Sequence, residues 1–382
     1  MYEGTRTFID HAAAAFRARG ASADIVELSD VEDPMLPIFA AAAGGPTDLV
    51  FSINIFGEVT DAAGRGMATI FEAPHVVWHV DYVLSQEARL INTPAATRLL
   101  LVDPTQVDAV QSIYGSARFP NVEFMPHAAV GEAAREDADP AAFEAARPIP
   151  ILWSGSLQKS QGRPWSHALE ATRRVFDDAY DLALSQDWMP PHVALDTVLR
   201  SRGVDLNDAG NQGARLSARW IDVEVRMTRR FEFIKAFAKS GLPVHICGHG
   251  WEKDLYRFKN VTLEGPVPML TVAERMRQSR VVLNTNGNFG AGSHERPLSA
   301  LLAGASPFSD RTAFYSDALG DGEGVTLFGW RDLAAGIESL AELAGDSELA
   351  WRRAQAGKAR VVAGHTWASR VDPILSAAGV AV

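Results

Sequence analysis

The segment from Arg280 to Asp310, RVVLNTNGNFGAGSHERPLSALLAGASPFSD, combines a strand pattern, a glycine-rich loop, a helix pattern and a second short strand. Its opening apolar run is typical of a buried parallel strand. Ser293 is a candidate cap for a helix whose leucines share one face and which ends at Gly304. Strands that alternate with helices in this way form parallel sheets covered by helices, so the segment predicts an α/β fold.

The loop of this segment is spaced by Gly287, Gly290 and Gly292 and leads into a helix N-terminus. Unpaired backbone N–H groups and the positive end of the helix dipole make such a place suited to a phosphate. Arg296 adds a cation with bidentate reach, and Glu295 adds an acceptor for a sugar or ribose hydroxyl. The alternative is an ordinary βαβ turn, because scattered glycines without a fixed spacing are a weak signal.

The first third of the chain also alternates between strand and helix patterns. A helix is predicted over Thr5–Arg19, and residues 1–4 resemble the loop that follows a strand, so the first strand of this domain is predicted to be missing. The predicted strands are Ala23–Leu28, Asp48–Phe56, His75–Val80, Arg98–Val102 and Val122–Met125. This order predicts a doubly wound parallel sheet.

Polar residues follow several of these strands: Asn54, His79, Asp81, Asp103 and His127. Ligands of doubly wound sheets bind at the carboxyl ends of the strands, so these residues are predicted to line a polar rim. His79 and Asp81 lie two positions apart and would share a side of an extended chain. The alternative is that the five residues only cap strand ends.

Residues 131–150 contain few large apolar side chains and are rich in Ala, Glu, Asp and Pro, which predicts a linker. They include Asp137-Ala138-Asp139, which superficially matches a metal-binding Asp-x-Asp. That motif belongs at the end of a buried strand, and this one lies in a charged run. No metal site is therefore predicted, and the linker separates a first domain at 1–130 from a second at 151–350.

The second domain begins with a predicted strand, Ile149–Trp153, and a Ser154-Gly155-Ser156 turn, with Lys159 and Arg163 shortly after it. The pattern from about 164 to 239 is almost wholly helical, which predicts a helical insertion. The later strands are predicted over Pro243–Cys247 and Val261–Leu263, with the sequence CGHGW at 247–251. Residues 351–382 are predicted to be helices that pack back toward the first domain.

The composition excludes several classes of protein. A net charge of −11 argues against non-specific nucleic-acid binding, and no apolar run is long enough to cross a bilayer. The single cysteine, Cys247, excludes an internal disulfide framework and a cysteine-based metal cluster. The 47% apolar and 22% charged residues are ordinary for a globular protein, so a cytoplasmic protein is predicted.

The two nucleotide-type domains, the Gly-Ser turn, CGHGW and SHERPLSALLAGA (293–305) together resemble the GT-B glycosyltransferases, in particular the spore-maturation CgeB-like subgroup. The resemblance is strongest over Pro243–Asp310. HTWASR (365–370) is similar to the family's final helix, and WHVDY (78–82) is similar to its aromatic-then-aspartate segment. The resemblance implies two Rossmann-like doubly wound domains facing a cleft, with the helical insertion in the second domain.

The resemblance further implies transfer of a sugar from a nucleotide-diphosphate-sugar donor, held mainly by the second domain, to a hydroxyl of a carbohydrate, protein or small-molecule acceptor. Bound metal is not usually required in this fold, and no cofactor is expected beyond the donor itself. An attacking hydroxyl needs a base if the anomeric centre inverts, and Asp81, followed by His79, is the candidate.

The departing diphosphate needs cations and backbone dipoles around it. The predicted donor-binding residues are Gly155, Ser156, Lys159, His249, Asn286, Ser293, His294, Glu295, Arg296 and Ser299. Ser299 stands where many members of the family carry a glutamate for the ribose, three residues after the arginine. This departure leaves ribose recognition to Glu295, to Ser299 or to neither.

Two other functions are compatible with the same two-domain fold. A nucleotide-sugar epimerase would convert the sugar without an acceptor, and a catalytically silent nucleotide- or sugar-binding protein would bind without turnover. The sequence leaves open the donor nucleotide and sugar, the acceptor, the stereochemical outcome, the oligomeric state and the completeness of the N-terminus.

Overall fold

A computed structural model of the chain describes residues 3–28, 31–54, 59–158, 162–287 and 289–380. The chain divides into two compact units. Unit 1 comprises residues 1–127 and 366–382, and unit 2 comprises residues 128–365.

Each unit contains a parallel sheet with helices. The strands are β1 (Val50–Ile53), β2 (His75–His79), β3 (Arg98–Leu101), β4 (Val122–Phe124), β5 (Ile149–Ser154), β6 (Val244–Cys247), β7 (Val261–Gly265), β8 (Ser279–Asn284), β9 (Ser306–Asp310) and β10 (Thr326–Phe328). The helices are α1 (Glu3–Ala18), α2 (Met35–Ala42), α3 (Met67–Ile70), α4 (Glu87–Asn92), α5 (Pro104–Tyr114), α6 (Pro140–Ala146), α7 (Glu170–Ser185), α8 (Pro191–Ser201), α9 (Gln212–Leu216), α10 (Ala218–Ser240), α11 (Glu252–Leu255), α12 (Met269–Arg277), α13 (Glu295–Leu302), α14 (Ala313–Tyr315), α15 (Leu333–Gly345), α16 (Ser347–Gly364) and α17 (Ala368–Ala378).

The sheet of unit 1 is parallel, with the strand order β1-β2-β3-β4 in the described residues. The predicted strand at 23–28 is wrong, because these residues pair with no strand in the described part of the chain. Val26 and Leu28 instead pack against a small apolar cluster around Ile38 and Met67. A short apolar run can satisfy its side chains by packing alone, without a backbone partner, and periodicity does not distinguish the two outcomes.

The chain returns to unit 1 after residue 365. Trp367 lies 5.2 Å from Trp78 and 5.7 Å from Phe8 between ring centroids. The buried Arg370 of α17 donates from Nε to the carbonyl of Pro126 at 2.9 Å and from Nη2 to that of His127 at 2.8 Å. Helix α17 is therefore an integral part of unit 1.

The sheet of unit 2 is parallel throughout, in the order β10-β9-β8-β5-β6-β7. Read from the other edge, this is the order 3-2-1-4-5-6 of a dinucleotide-binding Rossmann domain. Its core contains a stack of aromatic rings from three elements, including Phe308 and Phe328 at 5.2 Å and Phe233 and Phe328 at 5.0 Å.

The segment 131–150, predicted to be a linker, lies within unit 2. Phe143 of α6 is fully buried in the core, and Arg147 pairs with Asp137 at 2.8 Å. Lys358 of α16 donates to the carbonyl of Ala134 at 2.6 Å. Small residues allow the segment to pack closely, so its low apolar content does not make it a free connection.

The helical segment predicted between about 164 and 239 is observed as α7, α8, α9 and α10. Helix α10 is the crossover that leads directly into β6, and α7–α9 precede it as an additional helical layer. In the described part of the chain, none of the helices has the length and apolarity needed to cross a bilayer.

Candidate functional site

In the sheet of unit 2, β5 and β8 lie side by side, and the order in which the chain adds strands reverses at this pair. From this pair the chain proceeds to β6 and β7 on one side and to β9 and β10 on the other. Ligands of doubly wound sheets bind at such a switch point, outside the carboxyl ends of the strands. Ser154 ends β5 and Asn284 ends β8, so these two residues mark the expected position.

Arg296, in the first turn of α13, lies at the switch point. Its Nε donates to Ser154 Oγ at 3.0 Å, and its Nη1 donates to Asn284 Oδ1 at 2.6 Å. The guanidinium carbon is 5.4 Å from the centroid of the Trp153 ring, and the residue is only 8% exposed. Burial lowers the pKa of Arg296. The guanidinium is thus held in a fixed position by the ends of both central strands.

Two further arginines, Arg226 and Arg230, lie four residues apart on α10, and Arg230 is close enough to both Arg226 and Arg296 for repulsion. Arg230 donates to the carbonyl of Ser156 at 2.7 Å, and its guanidinium carbon is 5.7 Å from the Trp153 ring centroid. Burial, together with repulsion from Arg296 and Arg226, lowers the pKa of Arg230 to about 9. Arg226 lies against the glycine-rich loop, since a Cβ on Gly287 would be 3.0 Å from its Cγ.

These cations have few partners among the described residues. No carboxylate there pairs with Arg230 or Arg296, and Arg226 is 3.9 Å from Asp222. The Nε atoms of Arg226 and Arg230 are buried, and within the described ranges neither finds an acceptor. Buried polar groups are normally hydrogen-bonded, so three converging guanidinium groups with spare donors indicate an anion site.

Arg226 and Arg230 were not among the predicted site residues. The segment at about 164–239 was predicted only as a helical insertion, whereas its last helix, α10, approaches the switch point. The two residues are four positions apart, which places them on one face of a helix. That spacing, directly before a crossover into a predicted strand, was the available signal.

The Gly-Ser turn after β5 and the CGHGW loop after β6 hold each other. Gly155 N donates to the carbonyl of Cys247 at 2.8 Å, and Ser156 Oγ is 2.8 Å from His249 Nδ1. His249 is exposed, so its ring remains accessible to a ligand. Trp251 is fully buried and donates to the carbonyl of Gly155 at 2.8 Å, which makes it a structural residue.

A buried polar network fixes the glycine-rich loop. Asn286 donates from its backbone N and its Nδ2 to Asp310 Oδ1, at 2.9 and 2.7 Å, and accepts at Oδ1 from the Tyr315 hydroxyl at 3.0 Å. His294 N donates to the same hydroxyl at 2.7 Å. Burial raises the pKa of Asp310. Asn286, predicted to contact the donor, is largely occupied by this network.

The helix after the loop begins one residue later than the sequence predicts. His294 is the N-cap of α13, with its Nδ1 at 3.4 Å from Arg296 N, and Ser293 is fully buried. His294 Nδ1 is 2.6 Å from Glu295 Oε2. A ring nitrogen this close to a carboxylate oxygen carries a proton and donates it to Glu295, so the short contact with Glu295 holds the imidazole and the long approach of Arg296 N adds little.

Ser299, predicted to replace the family's ribose-binding glutamate, is buried. Its hydroxyl donates to the carbonyl of Glu295 at 2.9 Å and accepts from the N–H of Val130 at 2.9 Å. These bonds give it a role in the packing of α13. Arg163 is paired with Asp177 and does not reach the switch point as a free cation. Lys159 lies outside the described residues.

The two candidate bases of unit 1 have different environments. Asp81 is exposed and follows β2, and its Oδ2 accepts from Asn54 Nδ2 at 2.7 Å. Asn54 directly follows β1 and has a φ of +55°, an uncommon angle for a residue other than glycine, and its Oδ1 accepts from Val80 N at 2.9 Å. Arg89 donates to the carbonyl of Asn54. This arrangement fixes the Asp81 carboxylate at the strand end.

His79 is fully buried, and burial together with the charge of Arg89 lowers its pKa to about 3. The prediction of His79 as a base is not supported by this environment, because a base must reach the substrate. The two side chains do not share an accessible side, since His79 is fully buried and Asp81 is exposed.

A second polar cluster lies on β6 and β7. His245 Nε2 is 2.6 Å from Glu264 Oε2, and Cys247 donates to the same oxygen at 3.3 Å. Arg275 donates to both oxygens of Glu264 and is the main cause of its pKa of about 2, while burial raises the pKa of Cys247 to about 12. The carboxylate is already neutralised by the guanidinium, so the cluster is an ion-paired structural group.

Residues 229–376 match the model of a family described as glycosyl transferase-like. The matched segment contains Arg230, the glycine-rich loop and α13, and excludes helices α7–α9 and Arg226. A comparison with curated proteins found no match.

Solved structures share the fold at low sequence identity. Sucrose-phosphate synthase from Thermosynechococcus elongatus has a TM-score of 0.54 at 12% identity, covering 97% of this chain and 92% of that one. An α-glucosyltransferase in complex with UDP and a 13-mer DNA has a TM-score of 0.51 at 12% identity, covering 97% and 96%. WaaG, a glycosyltransferase involved in lipopolysaccharide biosynthesis, has a TM-score of 0.50 at 13% identity, covering 98% and 95%.

The chain covers only 54% of the length of TarM, which is 10% identical with a TM-score of 0.44. The likeness to the first three structures confirms the predicted α/β class with two parallel sheets.

Proposed function

We propose that this chain is a glycosyltransferase that moves a sugar from a nucleotide-diphosphate-sugar donor to a hydroxyl-bearing acceptor. The observation that carries the proposal is the convergence of Arg226, Arg230 and Arg296 at the switch point of unit 2, with spare buried donors. The family match over residues 229–376 and the UDP found with a structural neighbour support the same reading.

The geometry provides what the departing diphosphate needs. As the bond to the anomeric carbon breaks, negative charge develops on the leaving phosphate oxygen, and preorganised cations stabilise it. Arg296 is fixed by Ser154 and Asn284, so it requires little reorganisation during the reaction. The first turn of α13 adds backbone N–H groups and the positive end of a dipole. Ser156 and His249 border the same strand ends and are retained as donor contacts.

We assign Asp81 as the base that accepts the proton of the acceptor hydroxyl if the reaction inverts the anomeric centre. Its support is local: the carboxylate is exposed, at a strand end, and held by Asn54. A fixed and accessible carboxylate meets the geometric requirement for general base catalysis. Glu295 remains our candidate for a sugar or ribose hydroxyl, since the Ser299 hydroxyl is engaged in packing.

The proposal also covers the subgroup, the metal requirement and the location of the protein. The segments WHVDY (78–82) and HTWASR (365–370) favour the CgeB-like subgroup. Catalysis is proposed to need no bound metal, and activity is expected to survive excess EDTA. A cytoplasmic location is proposed from the composition and the single cysteine.

The proposal is tested by a thermal-shift screen with UDP-, GDP-, dTDP- and CMP-linked sugars, followed by assays of transfer to carbohydrate, peptide and small-molecule alcohols. A ligand at 100 times its dissociation constant stabilises the folded state by about 2.7 kcal/mol, which gives a clear shift. Binding of one series followed by transfer supports the proposal. Sugar conversion without an acceptor would identify an epimerase, and binding with no turnover across the panel would identify a binding protein.

A further inference from the structure

The segment Asp187–Pro190 joins α7 to α8 and is held from two directions. Arg229 donates from Nη2 to the carbonyls of Ala183 at 2.8 Å and Gln186 at 2.6 Å. Arg331 N donates to Asp187 Oδ1 at 2.7 Å. These contacts fix the segment relative to both the crossover helix α10 and the chain after β10.

The same segment touches the glycine-rich loop. A Cβ built on Gly290 would lie 2.4 Å from Pro190 Cγ and 3.4 Å from Trp188 Cε3, so only glycine leaves room for this approach. The cavity between the segment and the loop has a volume of only about 10 Å³, so the segment packs closely on the loop and a ligand could reach only the outer face of the indole. Trp188 therefore stands beside the loop on the β9 side of the switch point.

Trp188 is 46% exposed, whereas Trp153 and Trp251 of the same unit are fully buried. A large indole that is held by a fixed segment at the edge of a ligand site can cover an apolar face of the ligand. Sugar rings present such faces of C–H groups, bordered by hydroxyls. Asn286 and Asp310 lie beneath the indole, where their hydrogen bonds to each other fix the loop that the exposed indole borders.

The position of the anion site decides which part of the donor reaches Trp188. The diphosphate is placed at Arg296, where β5 and β8 end, and the donor extends from it in two directions. On the β6 side the exposed His249 and the Gly-Ser turn border the site. On the β9 side the border is the exposed indole of Trp188 beside the glycine-rich loop, and its flat face suits a pyranose ring.

We propose that Trp188 stacks on the transferred sugar of the donor and is a specificity-determining residue, supplied by the helical segment that precedes the crossover. This inference rests on the proposed function and goes beyond it, since Trp188 lies outside residues 229–376, which match the family model. The transferred sugar is then selected partly by an element added to the nucleotide-binding sheet.

The test is calorimetric titration of Trp188→Ala with UDP and with UDP-glucose, or with the GDP or dTDP pair if the wild-type protein binds that series. Trp188→Ala is expected to weaken binding of the sugar nucleotide about 3- to 10-fold, the range of an aromatic stacking contact. Binding of the free nucleoside diphosphate is expected to stay within about twofold, because it lacks the sugar. Trp188→Phe should keep most of the affinity.

The matched control is Trp220→Ala on α10, because Trp220 is 44% exposed and does not line the cavity. It should change neither titration. Equal weakening of both ligands by Trp188→Ala would place the base or the diphosphate at the indole and overturn the inference, as would no change in either. A wild-type protein that binds none of the three series would instead overturn the proposed function, and this inference with it.

Discussion

Arg226, Arg230 and Arg296 concentrate positive charge in a protein whose net charge is −11. Burial of a guanidinium and repulsion between like charges both cost folding free energy, and the lowered pKa of Arg230 reflects the two costs, burial first. A bound diphosphate would remove the cost by neutralising the charges and accepting the spare Nε donors. The cluster is therefore expected to strengthen ligand binding at the expense of the stability of the unliganded protein.

Arg230→Met tests whether the cluster strengthens ligand binding while it lowers the stability of the unliganded protein. The variant should weaken nucleoside diphosphate binding about 10- to 100-fold, the value of one or two charge-assisted hydrogen bonds. Its melting temperature without ligand should equal or exceed that of the wild type, since a repulsive charge is removed. Arg230 is a cleaner probe than Arg296, whose loss would remove the hydrogen bonds to Ser154 Oγ and Asn284 Oδ1 that join the ends of β5 and β8.

Lys239→Met is the control for Arg230→Met, because it removes one positive charge from the exposed end of the same helix. It should leave both binding and melting temperature unchanged. Retained nucleotide affinity in Arg230→Met would remove Arg230 from the anion site.

Asp81→Asn tests the assignment of the base. An amide cannot accept the proton, so kcat is expected to fall by about 10²- to 10⁴-fold, the usual contribution of general base catalysis. The acidic limb of the pH–rate profile should disappear, while donor binding stays unchanged. Asp108→Asn, an exposed position on α5, serves as the control. A normal rate and an unaltered profile in Asp81→Asn would exclude Asp81 as the base.

At the scale of elements, apolar runs identified most of the strands. The predicted strands near residues 50, 75, 98, 122, 149, 244 and 261 correspond to β1–β7, with ends shifted by a few residues. The short β10 was missed although β4, of equal length, was predicted, and 23–28 shows that an apolar run does not create a pairing partner. The strand–loop–helix–strand unit around α13 was recovered because it combines several signals.

The candidate site was recovered in part. Arg296 was identified because it sits next to a recognisable loop. Arg226 and Arg230 were not, since their role depends on where a long crossover helix ends in space, which local sequence does not specify. His79 was predicted as a base from its position near the end of a strand, and only the packing of unit 1 shows that its ring is buried.

Strand β2 carries two buried histidines with lowered pKa values. Burial lowers the pKa of His75 from 6.5 to about 4, and that of His79 from 6.5 to about 3. As pH falls below 6.5, the unfolded chain binds protons at both residues while the folded chain does not. Stability is therefore lost as pH falls from about 6.5 toward 4.

The prediction for β2 is that His79→Phe reduces this acid sensitivity. Between pH 7 and pH 5 the wild-type free energy of unfolding should fall by about 2 kcal/mol more than that of the variant, measured by denaturant titration at each pH. The comparison is made within each protein, so a general destabilisation of the variant does not affect it. His167→Asn, at an exposed position, should retain the wild-type slope. Identical slopes in wild type and His79→Phe would contradict the prediction.

At the scale of the whole molecule, unit 1 is built from two separate parts of the chain, and unit 2 from one. Trp367 packs against Phe8 and Trp78, which come from the other part of unit 1. Removing a large buried aromatic side chain leaves a cavity as well as lost contacts. The integrity of unit 1 therefore depends on a side chain more than 280 residues away from Trp78 in sequence.

Trp367→Ala should lower the free energy of unfolding of unit 1 by about 3–5 kcal/mol, as expected for a buried tryptophan. Because the anion site lies wholly in unit 2, nucleotide binding at a temperature below the transition should be unchanged. Scanning calorimetry measures the loss of stability, and titration calorimetry at low temperature measures nucleotide binding. A loss of nucleotide affinity at low temperature would show that the site requires unit 1.

The interrupted connectivity of unit 1 has a consequence for biosynthesis. While the ribosome is still elongating the chain, residues 128–365 form a continuous stretch that can collapse around its own sheet as it emerges. Strands β1–β4 are synthesised before residues 128–365. They lack the indole of Trp367, and the carbonyl of Pro126 lacks its donor Arg370, until translation has passed those codons. Unit 1 is therefore begun first and completed last during synthesis, and it is the unit for which a nascent-chain chaperone would matter most.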